Sequence, residues 1–180
     1  MIIIVMGVSG SGKTAVGREL ARQLGCPFYD GDEFHPPENI AKMARGLPLD
    51  DHDREPWLAR LRELMGEHAK KGETAVFACS ALKKSYRDLL RAGGDPMQFV
   101  HLQGDFELIW DRMRRRKTHY MKADMLESQF DALEPPGSDE AMIVDITQNV
   151  ADITSAILDQ LGQMRPGTDQ LLSTGTRGEE

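Results

Sequence analysis

Cysteine is almost missing from this chain of 180 residues: Cys26 and Cys79 are the whole complement. A disulfide-stapled secreted scaffold needs more cysteines in a shorter chain, so two buried, reduced thiols in a cytoplasmic protein are expected. Long apolar runs are missing too. The longest are strand-sized, and none spans a bilayer. An excess of positive charge is also lacking. The net charge is -7 and the isoelectric point near 5.3, against a general binder of nucleic acid or anionic membrane. The opening "MIIIVMG" has neither the basic flank nor the cleavage site of a signal peptide, and reads as a first buried strand. What is present is ordinary for a globular chain, with 40% hydrophobic and 28% charged residues, enough for one domain with a full-sized core.

Short apolar runs alternate with segments of helical period. Residues 2–6, 26–29, 74–79, 97–102 and 141–146 read as strands. Between them, Val16, Leu20 and Leu24 mark one helix stripe, and Leu58, Leu61 and Met65 a second. Phe106, Ile109, Trp110 and Met113 mark a third, and Val150, Ile153, Ile157 and Leu161 a fourth. Strands apolar on both faces between amphipathic helices predict an α/β fold, three layers around a parallel sheet. Two polar excursions interrupt the alternation. Residues 31–53 carry Ile40, Met43, Ala44 and Leu47 at helical spacing, then an acidic loop; the second covers 117–136. Excursions of that length in a compact domain are usually functional or disordered. The domain is expected to occupy residues 1–165, and residues 166–180 to form a loose tail.

"GVSGSGKT", residues 7–14, fits G-x-x-x-x-G-K-[ST] between a strand and a helix. The glycines let Gly7, Val8, Ser9, Gly10, Ser11 and Gly12 curl so that their N–H groups point at phosphate oxygens. The following helix adds its positive end. Lys13 is expected to reach the β- and γ-phosphates, and the Thr14 hydroxyl to ligate Mg²⁺. The chain therefore binds a nucleoside triphosphate. A guanine reader of the Asn-Lys-x-Asp type is absent, since Asn39 and Asn149 are the only asparagines and neither fits.

A carboxylate is needed to help hold the ion. Asp145, ending the last strand, is one candidate. Asp30, in "YDGDEFH", is the other. In open α/β sheets ligands sit beyond the carboxyl ends of the strands, where Asp30 falls. Gly31 permits a sharp turn that presents Asp32 two residues on. Asp30 is then a metal ligand and Asp32 the base that takes a proton from a substrate hydroxyl. The plainer alternative is an Asx turn starting the next helix.

Four blocks, "MGVSGSGKT", "DGDEFHPPENIAKMARGLPLDDHDREPWL", "CSALKKSYRDLLR" and "SQFDALEPP", together resemble the gluconokinases. The resemblance runs from about residue 2 to about residue 160. It implies a five-stranded parallel P-loop fold, ATP with Mg²⁺ as cofactors, and transfer of phosphate to the 6-hydroxyl of D-gluconate. A homodimer with a mobile lid over residues 112–136 is also implied. Thr118 and Tyr120 depart from the glycine and phenylalanine expected in that lid.

Gluconate carries a carboxylate and several hydroxyls, so its site needs a cation and polar partners. Arg54 is the expected carboxylate clamp and His35 a hydroxyl partner; their structural alternatives are a salt bridge to Asp51 or Asp53, and a helix-start contact. Lys83 and Arg87 share a helix face and are further substrate candidates, with a solvated face as the alternative. In "RMRRRK", Arg116 and then Arg112 are expected over the phosphates, and Arg116 is counted with Lys13 and Asp32 as catalytic. The residues after Asp145 are expected to flank the adenine. Rival readings are a kinase of another small hydroxy acid such as shikimate, a nucleotide-binding regulatory module, and an RNA-associated NTPase.

Overall fold

Ile2 to Met6 are all completely buried, which is possible only for a strand covered on both faces and paired on both edges. That strand, β1 (Ile2–Met6), is the middle of a five-stranded sheet in a computed structural model that describes residues 1–115 and 123–163. Its partners are β2 (Phe28–Asp30), β3 (Ala75–Ala78), β4 (Met97–Gln103) and β5 (Ala141–Asp145), in the order β2-β3-β1-β4-β5. Every pairing is parallel. The strand at 26–29 begins two residues late, so Cys26 precedes β2, and Cys79 follows β3; both are free thiols, with Cys79 buried and Cys26 half-buried.

Among the described residues seven α-helices accompany the sheet: α1 (Lys13–Leu24), α2 (Pro37–Ala44), α3 (Asp51–Lys70), α4 (Lys84–Arg91), α5 (Phe106–Arg115), α6 (Ala123–Ala132) and α7 (Val150–Gln163). Alternation along β1 divides the core. Ile3 and Val5 pack with Val16 and Leu20 of α1, Ile109 of α5 and Ile157 of α7. Ile2, Ile4 and Met6 face the other way, against Trp57, Leu58, Leu61 and Met65 of α3 and Leu90 of α4. All four predicted helix stripes are present.

The apolar spacing through residue 47 does not continue one helix. α2 stops at Ala44, Gly46 turns the chain at φ +74, and Ile40 and Leu47 stay exposed. The acidic loop that follows is a helix start. The Asp50 carboxylate accepts from the Asp53 N–H at 2.9 Å, and the Asp53 carboxylate accepts from the Asp50 N–H at 2.8 Å. This reciprocal cap satisfies donors that the first turn of α3 leaves unpaired.

Arg87 of α4 is 1% exposed, and its charge is answered inside the protein. Its Nε and Nη2 donate to the two Glu140 oxygens at 2.7 and 3.2 Å, and its Nη1 donates to the Ala81 and Leu82 carbonyls, each at 3.1 Å. Those carbonyls belong to the turn after β3, where Ala81 holds a left-handed φ of +44. The bonds to Arg87, then to Arg91, keep the Glu140 carboxyl below its ordinary value. Glu140→Gln is expected to destabilise the fold by about 3 kcal/mol in urea denaturation at pH 7, because it leaves a buried cation unmatched. The carboxyl is depressed when folded, so this stabilisation is full above its ordinary value of 4.5 and is lost as pH falls below it. The gap between parent and variant should close there; a constant gap would mean that packing, not charge, is responsible.

Candidate active site

The loop of residues 7–12 emerges from β1 at the carboxyl edge of the sheet, with β3 on one side and β4 on the other. Gly7, Gly10 and Gly12 have φ of +140, +83 and +102, which side chains resist. At Gly10 space is limiting as well, since a Cβ there would lie 2.7 Å from Met113 Cγ on α5. Lys13 Nζ donates to the Val8 carbonyl at 3.0 Å, which folds the lysine along the loop. The Ser11 hydroxyl is buried and has no hydrogen-bond partner among the described residues.

Thr14, on the first turn of α1, meets the end of β2. Its hydroxyl donates to Asp30 Oδ2 at 2.9 Å, while Asp30 Oδ1 accepts the Asp32 N–H at 3.3 Å. The Asx turn and the metal-ligand reading are therefore compatible: one oxygen caps the 3₁₀ turn Gly31–Phe34, and the other faces Thr14. A hydroxyl and a carboxylate oxygen beside a phosphate loop are the hard donors that Mg²⁺ takes, with the rest of its shell left to phosphates and water. These residues fit the ion.

Asp145 does not share that place. It ends β5, an edge strand separated from β1 by β4, and its carboxylate accepts the Thr147 N–H at 2.7 Å. Arg112 donates through Nη2 to the Ile146 carbonyl beyond β5, which ties α5 to the end of that strand. Arg116 lies outside the described residues, as do Thr118, Tyr120 and the tail.

A cavity of about 870 Å³ opens between the phosphate loop and the first excursion. Ser9 and Lys13 line it from the loop, Asp32 and His35 from the segment after β2, and Arg54 and Trp57 from α3. Lys83 reaches it after β3, and Gln129 from α6. Met43, Leu47, Pro48 and Leu49 give it an apolar wall.

Trp57 organises the acceptor side. Its indole N–H donates to the Gly31 carbonyl at 2.7 Å, and the His35 ring stacks on it at 4.3 Å between centroids. Burial lowers the His35 pKa, which the nearby Asp32 only partly counters, so the ring is neutral at pH 7 and offers one donor and one acceptor. Asp32 itself stands exposed, its carboxylate 4.0 Å from His35 Nε2.

Arg54 pairs with neither neighbouring aspartate by a direct bond. Its guanidinium donates to the Leu49 carbonyl, lies 3.5 Å from the Tyr86 hydroxyl, and sits over the Tyr86 ring. Lys83 donates to both Asp51 oxygens at 2.6 and 2.9 Å, so much of its charge is already answered. Lys83 first, then Tyr86, hold the Asp51 carboxyl below its ordinary value. Arg87 is corrected outright: it does not line the cavity, and its guanidinium is committed to Glu140 and two carbonyls.

Trp57, Tyr86 and Gln129 were not anticipated. The first two had a signal, since each lies three residues beyond a predicted cation, Arg54 or Lys83, one helical turn along the same face. Gln129 had none in periodicity, because a carboxamide on an amphipathic helix reads as surface.

A phosphate loop in a parallel sheet, open to a cavity with a carboxylate and an arginine, defines a P-loop kinase of small metabolites. The family model for shikimate kinase matches residues 9–161. The thermosensitive gluconokinase of Escherichia coli (strain K12) is 50% identical over 153 residues, covering 84% of this chain and 82% of that one. A probable gluconokinase of Xenopus tropicalis is 45% identical, covering 87% and 91%. The crystal structure of a gluconokinase from Sinorhizobium meliloti 1021 superposes with a TM-score of 0.82 at 45% identity, over 90% of this chain and 91% of that one. The chain belongs to the gluconokinase family.

The two loop glycines separate strain from crowding. Gly12→Ala meets no neighbour within 4 Å and should cost about 1 to 2 kcal/mol through its φ alone. Gly10→Ala adds overlap with Met113 and should cost about 1 to 3 kcal/mol more. Equal losses in thermal unfolding would show that α5 yields to the extra methyl.

Proposed function

We infer that the protein is a gluconokinase, transferring the γ-phosphoryl group of ATP to the 6-hydroxyl of D-gluconate. The observation that carries this reading is the single cavity joining Ser9 and Lys13 to Asp32, His35 and Arg54. Its volume suits a six-carbon acid beside a terminal phosphate.

The acid end of the substrate is assigned to Arg54, a cavity cation in contact with a carbonyl, a hydroxyl and a ring. Neutral His35 is assigned to a polyol hydroxyl. At the other end, Asp32 accepts the proton of the attacking hydroxyl. The new bond forms between that oxygen and the γ-phosphorus as the bond to the β–γ bridging oxygen breaks, and ADP leaves. Lys13 and the loop N–H groups stabilise charge on the phosphoryl oxygens. Thr14 and Asp30 would hold Mg²⁺, which would supply positive charge to the phosphate chain. The apolar wall of Met43, Leu47, Pro48 and Leu49 is assigned to keeping water from the phosphoryl group. We treat residues 1–165 as the kinase domain, with 31–53 as its acceptor-binding excursion.

Coupled ADP release with Mg-ATP should be strong with D-gluconate and weak with shikimate, glucose or no acceptor. Turnover on shikimate instead would transfer the reading to the hydroxy-acid alternative. Asp32→Asn is expected to lower kcat by about 10² to 10⁴ with ATP binding retained; an unchanged kcat would remove Asp32 from proton transfer. Arg54→Met should raise the KM for gluconate at least tenfold, about the loss of one charge-assisted hydrogen bond, with the KM for ATP little changed. A cytoplasmic homodimer is the remaining expectation from the family, and a solution mass near 20.1 kDa by light scattering would exclude the dimer.

A further inference from the structure

α6 touches the phosphate loop directly. The Gln129 side-chain oxygen accepts the Ser9 N–H at 2.6 Å. Ser9 is the loop residue that lines the cavity together with Lys13, Asp32 and Ser80, so its N–H marks the end of the loop nearest the acceptor. A phosphoryl group bound at that end is the one placed for transfer, the γ-phosphate. This inference rests on the reading of the loop as an ATP site.

The contact is held by a well-anchored helix. Leu126 is fully buried, and the Phe130 ring meets Phe106 of α5 at 5.6 Å between centroids. Just past α6, the Glu134 N–H donates to the Leu82 carbonyl at 2.9 Å, and the Glu134 carboxylate accepts the Lys84 N–H at 2.6 Å. α6 is thereby tied to the turn after β3, and Gln129 projects from it toward the loop. Gln129 also lines the cavity, so its side chain borders open space.

We propose that Gln129 is a specificity residue for the phosphate chain, its carboxamide oxygen competing with a γ-phosphate oxygen for the Ser9 N–H. One N–H cannot make a short, straight bond to both. The charged phosphate oxygen is the stronger acceptor and displaces the carboxamide. A nucleoside triphosphate therefore binds at the cost of the Gln129 bond. A diphosphate, which ends before that corner, does not. Gln129 thus narrows the affinity difference between ATP and ADP.

Isothermal titration of the full-length protein with ADP and with a non-hydrolysable ATP analogue, each with Mg²⁺, tests this in the parent, Gln129→Met and Gln129→Glu. Gln129→Met should bind the analogue about threefold to tenfold more tightly, the net worth of one hydrogen bond, with ADP affinity unchanged. Gln129→Glu keeps an acceptor against Ser9 and adds negative charge, so it should weaken the analogue more than ADP. Equal changes for the two nucleotides, or a weaker analogue in Gln129→Met, would overturn the proposal and make Gln129 a support of the loop. Failure of the parent to bind either nucleotide would instead overturn the ATP reading itself.

Discussion

The two-sided burial of β1 is the constraint on which the rest depends. A strand with Ile3 and Val5 in one half of the core and Ile2, Ile4 and Met6 in the other can sit only in the interior of the sheet. Its successor loop must therefore emerge between β3 and β4, where strand order reverses and the edge opens into a crevice. The phosphate loop gains its position from that burial, and α1 gains its direction. The chain then reaches β2 across β3, which brings Asp30 back to within hydrogen-bond distance of Thr14. Nucleotide loop and acceptor excursion meet because of how one apolar pentapeptide is packed.

The cavity is built in layers from that meeting. Trp57 is a core residue of α3 that also reaches the Gly31 carbonyl and carries the His35 ring, so hydrophobic burial and the shape of the cavity wall are set by one side chain. Arg87 does comparable work out of sight. By holding the Ala81 and Leu82 carbonyls it fixes a strained turn from which Ser80 and Lys83 face the cavity. A buried cation here supports the site without touching it.

Much of this was legible in the sequence. Apolar runs located all five strands, and the stripe spacing located α1, α3, α5 and α7 but not α4, whose Leu90 also packs on the sheet. The P-loop and the Asp-Gly-Asp turn were readable because their chemistry demands particular residues at fixed spacing. The arginines were not. Arg54, Arg87 and Arg112 look alike in a string, yet one faces the cavity, one is paired in the core, and one ties α5 to the end of β5. What separates them is the partner each finds through folding, Glu140 being 53 positions from Arg87 and Ile146 being 34 from Arg112. The helix stripe through Leu47 misled for a related reason: spacing cannot say that Gly46 turns the chain before the period completes.

The reciprocal cap at Asp50 and Asp53 has a consequence for how such an enzyme can change its diet. The carboxylates that start α3 are spent on its first turn and on Lys42, so the helix that carries Arg54 and Trp57 is launched by local bonds, independent of any ligand. Residues 32–57 thus form a contiguous cassette that brings Asp32, His35, Arg54 and Trp57 to the cavity wall. The phosphate machinery is written elsewhere in the chain. Substitutions in that stretch would reshape one wall of the cavity and leave the sequence of the phosphate loop as it is.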